Sequence, residues 1–281
     1  MWVKPRVEQR EKKRPRQLDL KQTLFILPNM ITLASVFCGL DAIRLMAQDN
    51  PSVDDFYGAG ILLIVAMIFD LLDGRVARMT KTQSAFGLQL DSLADVISFG
   101  VAPALLVYKW VLYRYPVPGL ITAFLFVACG AIRLARFNVL SSEPTPRAKP
   151  SRYMVGLPIP PAAGILVALV VANRALGGAL GDERYTVFLF GVTVLLSLLM
   201  VSTIKFRSFK DLRLNAGTVV LVTFVLGSSF LVWQFLKPGL VLIWLLSAYV
   251  LIALVETLRE LGGRLVGHAR HQSVPPSGDP D

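Results

Sequence analysis

Residues 61–78 read Ile61-Leu62-Leu63-Ile64-Val65-Ala66-Met67-Ile68-Phe69-Asp70-Leu71-Leu72-Asp73-Gly74-Arg75-Val76-Ala77-Arg78, and residues 87–95 read Gly87-Leu88-Gln89-Leu90-Asp91-Ser92-Leu93-Ala94-Asp95. Nine consecutive apolar residues run directly into two aspartates, and two more aspartates follow in the next apolar stretch. A carboxylate placed at the centre of a membrane helix costs at least about 2.5–3.5 kcal/mol. Four such groups close together in apolar helices call for a functional explanation.

The rest of the chain resembles this stretch in its apolarity. Of 281 residues, 54% are hydrophobic and 17% charged, and the mean hydropathy is +0.58, well above that of ordinary soluble domains. A spanning helix needs about 20 apolar residues. Eight stretches approach that length, near 24–46, 58–79, 87–112, 119–140, 158–175, 185–203, 217–236 and 239–259. Turn formers separate them: Asn50-Pro51, Pro116 with Pro118, Gly177-Gly178 and Pro238-Gly239. The expected fold is an all-α integral membrane protein, a bundle of about eight transmembrane helices. A basic segment, 1–23, precedes the membrane domain, 24–260, and a polar tail, 261–281, reads as disordered. The first twenty residues are too charged for the apolar core of a cleavable signal peptide. Cys38 and Cys129 lie in apolar stretches with no ligand spacing and read as small core residues.

Lysine and arginine set the orientation, because cytoplasmic loops carry their excess. With the N-terminus inside, 23 of the 29 basic residues fall on the inner side, and both termini are cytoplasmic. The remaining six are Arg44, Lys109, Arg114, Arg174, Arg184 and Lys237. The net charge of +10 is therefore topological and gives no reason to expect a nucleic-acid partner. It also suits attraction of the inner face of the lipid bilayer to anionic lipid. His268 and His271, in the tail, read as a solvated pair.

Residues three, four and seven apart share a helical face. Asp70, Asp73, Gly74 and Ala77 form one stripe; Gly87, Asp91 and Asp95 form another. The short connection from Met79 to Phe86 makes the two helices antiparallel neighbours whose acidic stripes can face each other. Four clustered carboxylates repel unless cations compensate. Oxygen donors without histidine or cysteine favour hard ions, Mg²⁺ or Mn²⁺, and such a set suits in-line displacement on a diphosphate. Gly74, Ala77 and Gly87 keep the stripes low enough for a nucleotide to approach, and Arg78 can reach a phosphate.

Asp70, Asp73-Gly74, Ala77-Arg78, Gly87, Asp91 and Asp95, at these spacings, resemble the full signature of the CDP-alcohol phosphotransferase family. The resemblance implies two divalent cations held by Asp70, Asp73, Asp91 and Asp95. It implies that Asp70, Gly74, Ala77, Arg78 and Gly87 line the CDP and diphosphate, and that Asp95 is the catalytic base. Flanking runs narrow it. Leu27-Pro28-Asn29 with Ile31-Thr32, residues 91–104 (DSLADVISFGVAPA), 133–139 (RLARFNV) and 156–163 (GLPIPPAA) resemble the family's bacterial and archaeal phosphatidylserine synthases. That branch implies CDP-diacylglycerol and L-serine as substrates, a homodimer, and an active site on the cytoplasmic face of the inner membrane. Glycerol 3-phosphate or an inositol phosphate is the alternative acceptor. An ion transporter, the reading from another class, offers no reason for the glycine, alanine and arginine spacings.

The carboxylate of serine needs a cation. Arg133 and Arg136 are the candidates, and snorkelling arginines at the membrane boundary are the competing reading. Asn29 is a candidate to hydrogen-bond the nucleotide or to cap a helix. Lys205, Arg207, Lys210 and Arg213 can hold lipid phosphate, although topology alone also accounts for them. Asp41 and Arg44 read as a local pair.

Overall fold

Ser52 opens the second helix. Its hydroxyl accepts from the Asp55 N–H at 3.2 Å, and Asp55 Oδ2 accepts from the Ser52 N–H at 2.8 Å, a reciprocal cap that satisfies two orphan donors. This helix, α2, therefore covers Val53–Met79 and starts before the apolar run expected at 58. It follows α1, Leu20–Met46. The computed structural model describes residues 20–142 and 153–207, with separate helical residues between 227 and 252. The basic segment up to residue 19 and the tail 261–281, with His268 and His271, lie outside the described residues. So do most of the two last expected spans, 217–236 and 239–259.

Ser84 caps the next helix by accepting from the Gly87 N–H at 3.0 Å. Here α3, Ala85–Asp95, a π-helical turn, Val96–Val101, and α4, Ala102–Trp110, run on as one rod of 26 residues. The π turn closes through a bond from the Ala102 N–H to the Ile97 carbonyl. Pro103, which has no N–H and crowds the carbonyl four residues back, accounts for the widening there. Pro116 and Pro118, expected to separate helices, instead open α5, Pro116–Ser142. Proline in a first turn forfeits only a donor that has no helical partner.

Then follow α6, Ile159–Ala175, and α7, Thr186–Val201. Five helices among the described residues are long and apolar enough to cross a membrane. Helix α6, with 17 residues, is shorter, about 25 Å at ~1.5 Å per residue. Its apolar residues from Ile159 to Ala172 are almost all buried, so it fills the middle of the bundle, as a helix apolar all round should. The all-α expectation needs one correction. Tyr153–Val155 (β1) pairs antiparallel with Lys205–Arg207 (β2). Gly156 makes that junction possible: its φ is +82°, and a Cβ there would lie 2.3 Å from the Met200 carbonyl oxygen.

The core joins Leu63 and Ala66 of α2, Phe99 of the π turn, Leu106 of α4, Phe126 of α5 and Leu166 of α6. Helix α1 lies along α2 over most of its length and also touches α3, the π turn and α4. Helices α2 and α3 make almost no direct backbone approach to each other. The expected neighbours are thus bridged by α1, with a gap between them.

Candidate active site at the gap between α2 and α3

Into that gap point the aspartates. Asp70 on α2 and Asp91 and Asp95 on α3 each bring a carboxylate oxygen within 4.8 Å of the others. Side chains bridge what the backbones leave open. Asp73, one turn on from Asp70, takes a different partner: Thr32 of α1 donates its hydroxyl to Asp73 Oδ2 at 2.6 Å. Both are 5% exposed, so this bond is shielded from water.

A cleft of about 510 Å³ opens over this group, lined by Asp73, Gly74, Ala77, Arg78, Gly87 and Asp91, with Asn29 and Thr32 on its α1 side. That volume falls within the range of small-ligand sites. Asp70, which is half-buried, and Asp95 do not line it. Asp95 is 8% exposed, ten residues into the rod, about 15 Å from its start at ~1.5 Å per residue.

The glycines have different reasons. A Cβ on Gly87 would press on the cap of its own helix, 3.2 Å from Ser84 Oγ, and would stand in ordinary contact with Asn29 Oδ1 of α1 at 3.5 Å. A Cβ on Gly74 would find only Arg78 Nη1, at 4.0 Å. No packing demands glycine at that position; its effect is to keep the cleft floor open. Asn29 lies within α1, not at its N-terminus, which removes the capping reading.

Arg133 of α5 is 7% exposed, and its charge acts on Asp95. A snorkelling arginine would reach water instead. Arg136, three residues on, donates to the Val155 carbonyl at 3.0 Å and so braces β1. The two arginines therefore have different local surroundings. Asp41 and Arg44 form the expected pair at 2.6 Å.

Sequence reasoning passed over two groups. Thr32 appeared only as part of a flanking run; no spacing rule relates it to Asp73, 41 residues away. The second is Asn138, whose Nδ2 donates to Ser92 Oγ at 2.9 Å and to Gln89 Oε1 at 3.3 Å, tying α5 to the face of α3 beside Asp91 and Asp95. Asn138 stood only within the flanking run 133–139, beside Arg133 and Arg136, and no spacing rule relates it to Ser92, 46 residues away.

These donors fit a hard divalent cation. Three carboxylates converge in an apolar bundle, a fourth stands beside them, and among the described residues no histidine or cysteine joins the cluster. Oxygen-only sets of this kind are what Mg²⁺ and Mn²⁺ take.

Residues 25–200 match the CDP-alcohol phosphatidyltransferase family, and the chain belongs to that family. Within it, the chain is 38% identical over 233 residues to a CDP-diacylglycerol–serine O-phosphatidyltransferase of Helicobacter pylori strain J99, covering 83% of this chain and 91% of that protein. Proteins of the same description from Bacillus subtilis and Methanocaldococcus jannaschii are 36% and 35% identical. The first match covers 66% of this chain and 91% of its relative; the second covers 67% and 77%.

Proposed function

We propose that this multi-pass membrane enzyme transfers the phosphatidyl group of CDP-diacylglycerol to L-serine and releases CMP. The observation that carries the reading is similarity to serine-using relatives across 83% of the chain, with the aspartate cluster lying inside the matched region. The lipid tails stay in the bilayer while the diphosphate enters the cleft between α2 and α3, from the cytoplasmic side of the inner membrane. Asp70, Asp73, Asp91 and Asp95 hold two divalent cations, Mg²⁺ or Mn²⁺. When bound, the cations neutralise charge on the diphosphate and polarise its oxygens.

The chain's own side chains do the rest. Gly74, Ala77 and Gly87 let the nucleotide lie against the helices, Arg78 pairs with a phosphate, and Asn29 hydrogen-bonds the nucleotide. A serine hydroxyl is too weak an acid to react unaided, so a base must take its proton; Asp95 does so. The hydroxyl oxygen forms a bond to the β-phosphorus, the bond from that phosphorus to the CMP oxygen breaks, and CMP leaves with the electron pair. Arg133, with Arg136 as the outer member of the pair, receives the carboxylate of serine. The enzyme works as a homodimer.

An acceptor carrying a phosphate dianion would want more cationic partners than this pair. CMP release from labelled CDP-diacylglycerol, measured with serine, glycerol 3-phosphate and inositol phosphate in turn, tests the assignment. Release with serine alone is expected; release with a phosphorylated acceptor and none with serine would overturn it.

A further inference from the structure

Asp73 stands apart from the other three aspartates because α1 holds it. Thr32 Oγ1 lies 2.6 Å from Asp73 Oδ2 and 3.1 Å from the Pro28 carbonyl oxygen. A hydroxyl has one proton, and an ionised carboxylate can only accept. With Asp73 ionised, the proton belongs to Asp73, in the stronger, charge-assisted bond. One lone pair of Oδ2 is then committed, and the remaining lone pairs face other partners. In a helix the threonine side chain keeps to two χ1 positions, and the one it takes on α1 places Oγ1 between the Pro28 carbonyl and Asp73. Both residues line the cleft.

We infer that Thr32 is a positioning residue: it orients the Asp73 carboxylate for cation binding and thereby makes α1 part of the cation site. The inference rests on the reading of the aspartate cluster as a cation site and adds a residue to it. Partners that orient metal-binding carboxylates typically change affinity by about 10–100-fold when removed. Asp73→Asn would damage the ligand itself, whereas Thr32→Val keeps shape and removes only the hydroxyl.

The test is Mn²⁺ binding to the purified full chain in the absence of lipid and serine, followed by the spectral signal of free Mn²⁺. The expected result is a Kd raised about tenfold or more in Thr32→Val, restored to within about twofold of the parent in Thr32→Ser. Thr32→Ala supplies the same loss should the valine variant not fold. Parent-like Mn²⁺ affinity in folded Thr32→Val or Thr32→Ala overturns the inference and leaves the cation site standing. A Thr32→Ser variant as weak as Thr32→Val also overturns it. Failure of the parent chain to bind Mn²⁺ overturns the cation site and the inference together.

Discussion

Asp95 occupies an expensive position, 8% exposed and well inside the membrane-spanning rod, with Asp70 and Asp91 as like-charged neighbours. A purely structural residue would be cheaper there as leucine. Replacing Asp95 with Asn keeps its size and removes its basicity. Turnover of Asp95→Asn is expected to fall by at least about 10²–10⁴, the usual share of a general base, while CDP-diacylglycerol still binds; near-normal turnover would end the base assignment. Arg133→Ala is expected to raise the KM for serine by roughly tenfold or more, as loss of a bond to a charged group does, and the KM for the lipid much less. Equal effects on both would remove Arg133 from the serine site. The aspartates, Gly74, Ala77, Arg78 and Gly87 were legible because helical spacing and signature both mark them. Thr32 was not, because its bond to Asp73 links helices through tertiary packing, and Arg133 and Arg136 were distinguishable only once their partners were known.

Helices α1, α2, α3 and α5 carry the site between them, and their joints are specific. Gly39 of α1 meets the π turn so closely that a Cβ would lie 2.9 Å from Ser98 Oγ and 3.0 Å from Ser98 Cα. Ser98 also donates to the Ser35 carbonyl at 3.2 Å. Because the obstacle includes backbone, Gly39→Ala must push α1 away from the turn that follows Asp95. Despite the better helix propensity of alanine, this variant should lose about 1–3 kcal/mol, the usual cost of overpacking. The check is thermal unfolding of the purified chain, with kcat measured beside it; an unchanged Tm would show that the contact is loose. The length of the apolar runs placed the described helices to within about five residues. It could not show the π turn, which changes no residue pattern, nor the start of α2, which depends on Ser52 and Asp55. Nor could it show that α2 and α3 pack through α1, because a short loop implies adjacency without stating how close the backbones come.

Over the whole molecule, the pairing of β1 with β2 puts the start of α6 and the end of α7 at one end of the bundle. Which side that end faces is a prediction of the basic-residue distribution, which expects the α2–α3 loop inside and the α6–α7 connection outside. Cys38 and Cys129 are buried, so new cysteines can report on topology with little background. An impermeant maleimide applied to intact cells should label Glu183→Cys, while Gln83→Cys should react only after the membrane is opened. The reverse pattern would invert the orientation and with it the side from which serine arrives. Fold class was legible from composition because a bilayer admits few solutions, whereas the strand pair formed by Tyr153–Val155 and Lys205–Arg207 is too short to leave a period. The central claim joins the aspartate cluster to transfer of a phosphatidyl group onto serine. Its most direct test is label transfer from radioactive L-serine into lipid by the purified chain in vesicles containing CDP-diacylglycerol. The account predicts incorporation with Mg²⁺ or Mn²⁺, loss on chelation, and recovery when the cation is returned; incorporation that persists undiminished without any divalent cation would contradict it.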